Sequence, residues 1–227
     1  MQNYIIPSPP VVCIPTIDDR HFPVRRVYCI GRNYPAHASE MGHDPNREEP
    51  FFFQKNPDNL SPDGLFPYPA HSKEVHHEVE LLVALQKGGS NIAPEDAMDC
   101  VWGYAVCLDM TLRDLQSQLK HSSRPWEVSK AFEKSAPVGL LVNRREVGDC
   151  HEGDIKLEVN GTVRQSGNLS QMIWKIPEII SHLSRFYDII GGDVILTGTP
   201  SGVDSVSVGD SIRGSITGLS DLKVKIV

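Results

Sequence analysis

The sequence predicts a β-rich α+β domain, and three features carry that prediction. Apolar runs of strand length recur at 28–30, 79–85, 101–108, 137–142 and 193–197, most of them bounded by glycine, proline or charged residues. Residues 155–159 and 162–164 alternate apolar and polar side chains about Asn160-Gly161, a strong hairpin signal. Helical spacing is confined to short stretches at 33–42, 93–98, 110–120 and 169–187, the last expected to kink or break at Pro177.

A chain of 227 residues can bury a substantial core and fits one domain. Residues 1–24, rich in proline, read as a lead-in segment with a short strand near 11–14. Apolar content of 40% and charged content of 22% are those of a soluble globular protein. A net charge of −7 with no Lys/Arg cluster speaks against a nucleic-acid partner. No apolar run approaches the roughly 20 residues that cross a bilayer, and residues 1–10 lack signal-peptide features. Five cysteines without CxxC spacing read as free thiols in a reducing cytoplasm rather than as disulfides or zinc ligands.

The chemistry gathers around His76-His77-Glu78-Val79-Glu80. Read as the start of a strand over 76–85, this stretch puts Glu78 and Glu80 on one face. Beyond Glu80 both faces are apolar, so the strand enters a core. Two carboxylates leading into a core repel each other and lose hydration. A divalent cation compensates them, and an all-oxygen site suits Mg²⁺ or Mn²⁺. Solvation at the strand's mouth, or pairing with Arg or Lys, is the plainer alternative. Asp109, at the end of the buried strand 101–108, is either a third ligand or the cap of the amphipathic helix that follows.

Upstream, Asn33 is placed to cap a short helix with Pro35 in its first turn and Gly42 closing it. There His37 and Glu40 are i,i+3 neighbours: an imidazole oriented by a carboxylate, as a water-activating base requires, or a surface pair. Arg32 meets an anion or only solvent. Phe51, Phe52 and Phe53 read as a strand packed into the core. Gln116 lies within reach of a substrate oxygen or is an exposed helical residue. Residues 124–132 read as extended, and Lys130, between Val128 and Phe132, must snorkel out or find negative charge. Beside carboxylates and a metal its ammonium would stabilise an oxyanion. Thr199, flanked by Gly198 and Pro200 after a strand, is part of a ligand-approach loop or of a plain turn.

Four segments then add up to a resemblance: residues 31–41 (from Gly31-Arg32-Asn33-Tyr34 to Met41), His76-His77-Glu78-Val79-Glu80-Leu81, residues 103–116, and residues 192–202 around Leu196-Thr197-Gly198-Thr199-Pro200. In this order they resemble the fumarylacetoacetate hydrolase family. The resemblance covers about residue 25 onward and implies a catalytic domain over 25–227. The implied fold is a mixed β-sheet roll of that family's C-terminal domain type with a few peripheral helices. A homodimer of the short, single-domain branch is also implied. Carried over by motif, Glu78, Glu80 and Asp109 would hold Mg²⁺ or Mn²⁺, and His37 and Glu40 would be the catalytic dyad. Lys130 would stand beside the substrate oxygen, with Arg32, Gln116 and Thr199 as substrate contacts.

Within the family, residues 40–45 and 51–55 are similar to bacterial fumarylpyruvate hydrolases of gentisate breakdown. The implied activity is metal-dependent C–C hydrolysis of a 2,4-diketo acid, fumarylpyruvate to fumarate and pyruvate, with residues 41–60 shaping the acyl pocket. The same site would suit oxaloacetate decarboxylation, or isomerisation or hydration of a 2-oxo acid. A non-catalytic metal-binding relative is the alternative from another class.

Overall fold

Valine, leucine and alanine fill both faces of the strand Val79–Leu85 beyond Glu80, so it belongs in the middle of a sheet covered on both sides. The computed structural model, which describes residues 4–40 and 48–227 and the side chains of all of these except residues 38–40, places it there. It is the third of six strands, in the order Val142–Asn143, Val101–Leu108, Val79–Leu85, Asp193–Leu196, Arg26–Ile30, Phe52–Lys55. Neighbours run antiparallel except Asp193–Leu196 and Arg26–Ile30, which are parallel. A second sheet of five orders Thr162–Asn168, Asp154–Val159, Ser211–Ile216, Leu222–Ile226 and Leu65–Phe66, the last pair parallel. Helices are short and peripheral. This is the β-rich mixed roll that the sequence led us to expect.

The two sheets close on one another through alternating side chains. Val79, Leu81, Val83 and Leu85 pack with Ile155, Leu157, Ile212 and Val224, and each such buried aliphatic contributes about 2 kcal/mol. Gly214 permits the close approach, since a Cβ there would stand 3.0 Å from Val106 Cγ1. On the other face Leu82, Ala84, Ala105 and Cys107 pack with Leu196, Ile14 and Phe22. Ile14 and Phe22 come from the paired strands Cys13–Pro15 and His21–Pro23.

The Asn-Gly hairpin forms as read, with Asn160 and Gly161 at φ 52° and 78°. Elsewhere pairing overrode local pattern. The expected helix over 110–120 starts at Arg113, because Thr111–Leu112 first pairs with Val75–His76. The expected strand over 137–142 splits into Ala136–Pro137 and Val142–Asn143, with the N–H groups of Val138 and Leu141 going to Ser61 and Pro15. Residues 124–132 are not extended; a 3₁₀ turn, Glu127–Ser129, forms there as Ser129 and Lys130 bond back to Trp126 and Glu127. The stretch 169–187 breaks just before Pro177, into the 3₁₀ turn Leu169–Gln171 and the helix Ile176–Leu183, and Pro177 itself kinks neither piece. It lies in the first turn of the helix Ile176–Leu183, where its missing N–H costs nothing. All five cysteines are free. Among the described residues no helix is long and apolar enough to cross a membrane. Gly42 and the 41–47 part of the expected acyl pocket lie outside the described residues.

Candidate active site

Glu78 stands one residue ahead of its strand rather than inside it, since the ladder with Val101–Leu108 begins at Val79 opposite Leu108. The strand expected over 76–85 is thus broken at His77 and Glu78. The Glu78 carbonyl nonetheless accepts the Asp109 N–H at 2.8 Å, which keeps the two chain ends in register. Alternation then places Glu78, Glu80 and Asp109 on the face shared by Leu82, Ala84 and Cys107. All three are buried, and one carboxylate oxygen from each lies within 4.8 Å of the others.

Buried cations hold two of these charges. Glu78 takes Lys130 Nζ at 2.7 Å and Arg113 Nη2 at 2.5 Å. Burial opposes its charge, but Lys130, Arg113 and His37 outweigh burial and hold its pKa well below the usual carboxylate range. Asp109 meets Lys130 Nζ at 2.6 Å and Lys55 Nζ at 2.8 Å. Burial likewise works against the Lys130 ammonium, and the charges of Asp109 and Glu78 overcome it, so its pKa is raised. Lys55 also donates to Ser135 Oγ at 2.9 Å and to the Lys130 carbonyl. Glu80 differs. It accepts the Gly198 N–H at 2.7 Å, and burial together with the charges of Asp109 and Glu78 pushes its pKa well above the usual range. Asp109 Oδ1 makes no well-aligned hydrogen bond, its contact being the Lys55 ammonium at 2.8 Å. A buried carboxyl whose charged form is opposed by burial and by two neighbouring carboxylates, within a set of three hard oxygen donors, is what a divalent cation would repair. The residues fit Mg²⁺ or Mn²⁺.

One pocket gathers these carboxylates with His37, Arg32, Gln116, Lys130 and Thr199. His37 is buried on the helix Pro35–Glu40; the side chain of its expected partner Glu40 lies outside the described residues. Gln116 is buried rather than exposed, and its Oε1 accepts Arg113 Nη1 at 2.7 Å. Lys130 spends two of its three donors on Glu78 and Asp109. Arg32, at φ 57°, lies 5.3 Å over the Phe51 ring. Thr199 Oγ1 accepts Gln165 Nε2 at 2.8 Å.

Two expectations change here. Asn33 does not cap the helix; its Nδ2 donates to the carbonyls of Trp174 and Thr197, and its Oδ1 accepts the Trp174 N–H. It ties the loop before His37 to the end of the strand before Thr199. Gly198 follows from that closeness: it sits at φ 92°, and a Cβ there would lie 2.8 Å from Asn33 Cβ. Phe53 packs against the core and also lines the pocket, with Lys130 Nζ 5.4 Å over its ring, and Phe51, ahead of the strand, lines the pocket rather than the core. The sequence reading missed Lys55 and Gln165 outright. Lys55 carried a signal, a lysine closing an aromatic strand; Gln165, in a polar hairpin strand, carried none.

Fold and site together define a class. The chain belongs to the fumarylacetoacetate hydrolase family, residues 26–227 matching the family model described as Fumarylacetoacetate (FAA) hydrolase C-terminal. Among its relatives is the mouse Oxaloacetate tautomerase FAHD1, mitochondrial, 41% identical over 203 residues that cover 89% of this chain and 91% of the relative. The Oxaloacetate decarboxylase, mitochondrial, of Dictyostelium discoideum is 40% identical over 206 residues, covering 89% and 94%. The crystal structure of fumarylpyruvate hydrolase from Pseudomonas aeruginosa in complex with Mn²⁺ and pyruvate matches with a TM-score of 0.96 and 45% identity over 99% of each chain.

Proposed function

We propose that the protein is a metal-dependent hydrolase of 2,4-diketo acids that cleaves fumarylpyruvate to fumarate and pyruvate. The observation that carries this reading is His37, a buried imidazole lining the same pocket as the three carboxylates. Likeness to the Pseudomonas fumarylpyruvate hydrolase across both full chains supports it. Glu78, Glu80 and Asp109 would hold Mg²⁺ or Mn²⁺, which supplies positive charge for the 1-carboxylate and 2-oxo oxygens of the substrate. His37 takes a proton from water at an imidazole nitrogen, Glu40 orienting the ring. The oxygen so activated adds to C4, and the remaining N–H of Lys130 with the Gln116 amide meets the charge developing on the C4 oxygen. The C3–C4 bond breaks with its electron pair on C3, and C4 leaves as fumarate. The proton held on His37 returns to C3, completing pyruvate. Arg32 and Thr199 contact substrate oxygens.

A second reading, oxaloacetate tautomerase or decarboxylase, is favoured by the 41% identity to mouse FAHD1. It would use the same cation and Lys130 without adding water. Turnover of metal-stripped protein on fumarylpyruvate and on oxaloacetate, with and without Mg²⁺, tests the two. Mg²⁺-dependent formation of fumarate and pyruvate supports the first; loss of oxaloacetate alone moves the protein to the second. A cytoplasmic homodimer belongs to the same reading, and light scattering on the purified protein tests the dimer.

A further inference from the structure

We infer that Arg32 and Lys120 form a second anion subsite at the rim of this pocket, built for the distal carboxylate of a 2-oxo dicarboxylic acid. The inference rests on the reading of the site as one for 2-oxo acids and assigns the residues that meet the far end of the substrate. The cations around the pocket divide into two groups. Lys55, Lys130 and Arg113 are committed to Asp109 and Glu78 at 2.5–2.8 Å. Arg32 and Lys120, which line the same pocket, pair with no carboxylate among the described residues. Each lies instead against an aromatic face: Arg32 5.3 Å from the Phe51 centroid, Lys120 5.5 Å from that of Trp126. Those two rings meet edge-on with centroids 6.1 Å apart, so the free cations flank one apolar shelf.

The helix explains how Lys120 arrives there. In Arg113–His121, residues 113, 116 and 120 follow i, i+3, i+7 spacing and share a face. Arg113 and Gln116 sit beside Glu78 at the floor, and Lys120 stands one turn further out. Burial, then Arg113, Arg32 and Lys130, lower its pKa to about 8, against the opposing charge of Glu78, and Lys120 forms no ion pair with a described acid. Arg32 and Lys120, two cations on one cleft with no ion pair to a described carboxylate, draw in an anion. The carboxylate floor and its cation would take the 2-oxo acid end. A second carboxylate then reaches the rim across a flat spacer lying on the aromatic shelf, a handle that neutral acylpyruvates lack.

Calorimetric titration of the Mn²⁺-loaded protein with 2-oxoglutarate and with 2-oxopentanoate, five-carbon 2-oxo acids differing at the far end, tests this without turnover. The wild type should bind 2-oxoglutarate about tenfold or more tightly than 2-oxopentanoate. That ratio should collapse toward one in Lys120→Met and in Arg32→Gln, and survive in Lys120→Arg, with thermal melts confirming that each variant is folded. Indistinguishable binding of the two acids by the wild type, including no binding of either, overturns the subsite; so does an unchanged ratio in Lys120→Met. Should the wild type turn over neither fumarylpyruvate nor oxaloacetate, the proposed function fails while the affinity ratio still decides the subsite.

Discussion

Lys55 Nζ lies 2.8 Å from Asp109 Oδ1, with the two side chains 0% and 1% exposed. The pair lies in the core next to two further carboxyl groups, so its removal separates two roles of a buried cation. In Lys55→Met the metal-free protein should lose about 1–3 kcal/mol in urea unfolding, because Asp109 Oδ1 is left buried without a partner while Oδ2 keeps Lys130. Mn²⁺ should bind the same variant more tightly, because one competing positive charge is gone. If stability and Mn²⁺ affinity fall together, Lys55 acts by holding Asp109 in place.

Glu80 predicts how the metal-free protein responds to pH. Burial and the neighbouring carboxylates raise its pKa well above the ordinary 4.5. The native state therefore keeps a proton that the unfolded chain has released. The associated stability is full below the unfolded value and is lost as pH rises through the folded one. Urea midpoints in chelator should fall across that rise for the wild type and stay flatter for Glu80→Gln, whose amide oxygen can still accept the Gly198 N–H. Saturating Mg²⁺ should restore the wild type and not the variant. Equal slopes in both proteins would refute the assignment.

Gln165 is a positioning residue. Its Oε1 accepts the Val79 N–H at 3.0 Å and lies 3.0 Å from His77 Nδ1, while its Nε2 donates to Thr199 Oγ1 and to the Pro200 carbonyl, both at 2.8 Å. Gln165→Leu should cost about 1–3 kcal/mol in stability, since the Val79 N–H is left unsatisfied. It should also lower kcat/KM. A double-mutant cycle with Thr199→Val should give a combined loss smaller than the sum. Additive losses would mean that Gln165 does not act through Thr199.

Lys120 sets a pH dependence for the rim. It faces Arg32, Arg113, Lys130 and Glu78, and its pKa is lowered to about 8. A bound carboxylate favours the ammonium form, so the preference for 2-oxoglutarate should be full below about 8 and decline as pH rises past it. The ratio in Lys120→Met should not vary. Calorimetry at stepped pH reads it, and a flat wild-type ratio across that value would remove Lys120 from the subsite.

Local patterns carried much of this molecule. The strand Val101–Leu108 was legible because eight residues of continuous strand-forming, largely apolar sequence leave no choice but the middle of a sheet. Asn160-Gly161 made its hairpin legible through backbone conformations that few other pairs tolerate. Glu78, Glu80 and Asp109 stood out as acids where apolar runs begin or end, a costly placement without compensation. What compensates them was not legible. Lys55 reaches Asp109 across 54 residues of chain and Asn33 bonds to Thr197 across 164, and no periodicity records such pairings. The same holds for the start of the helix at Arg113, decided by a strand pair with Val75–His76, and for Lys120, whose lack of an acid is visible only once its neighbours are placed. Strand interiors, the tight turn and the acids at the core's edge follow from each residue and its nearest neighbours in the chain. Which cation answers which acid, and which cations are left for a substrate, were decided by the fold alone, because charge interacts through distance in space.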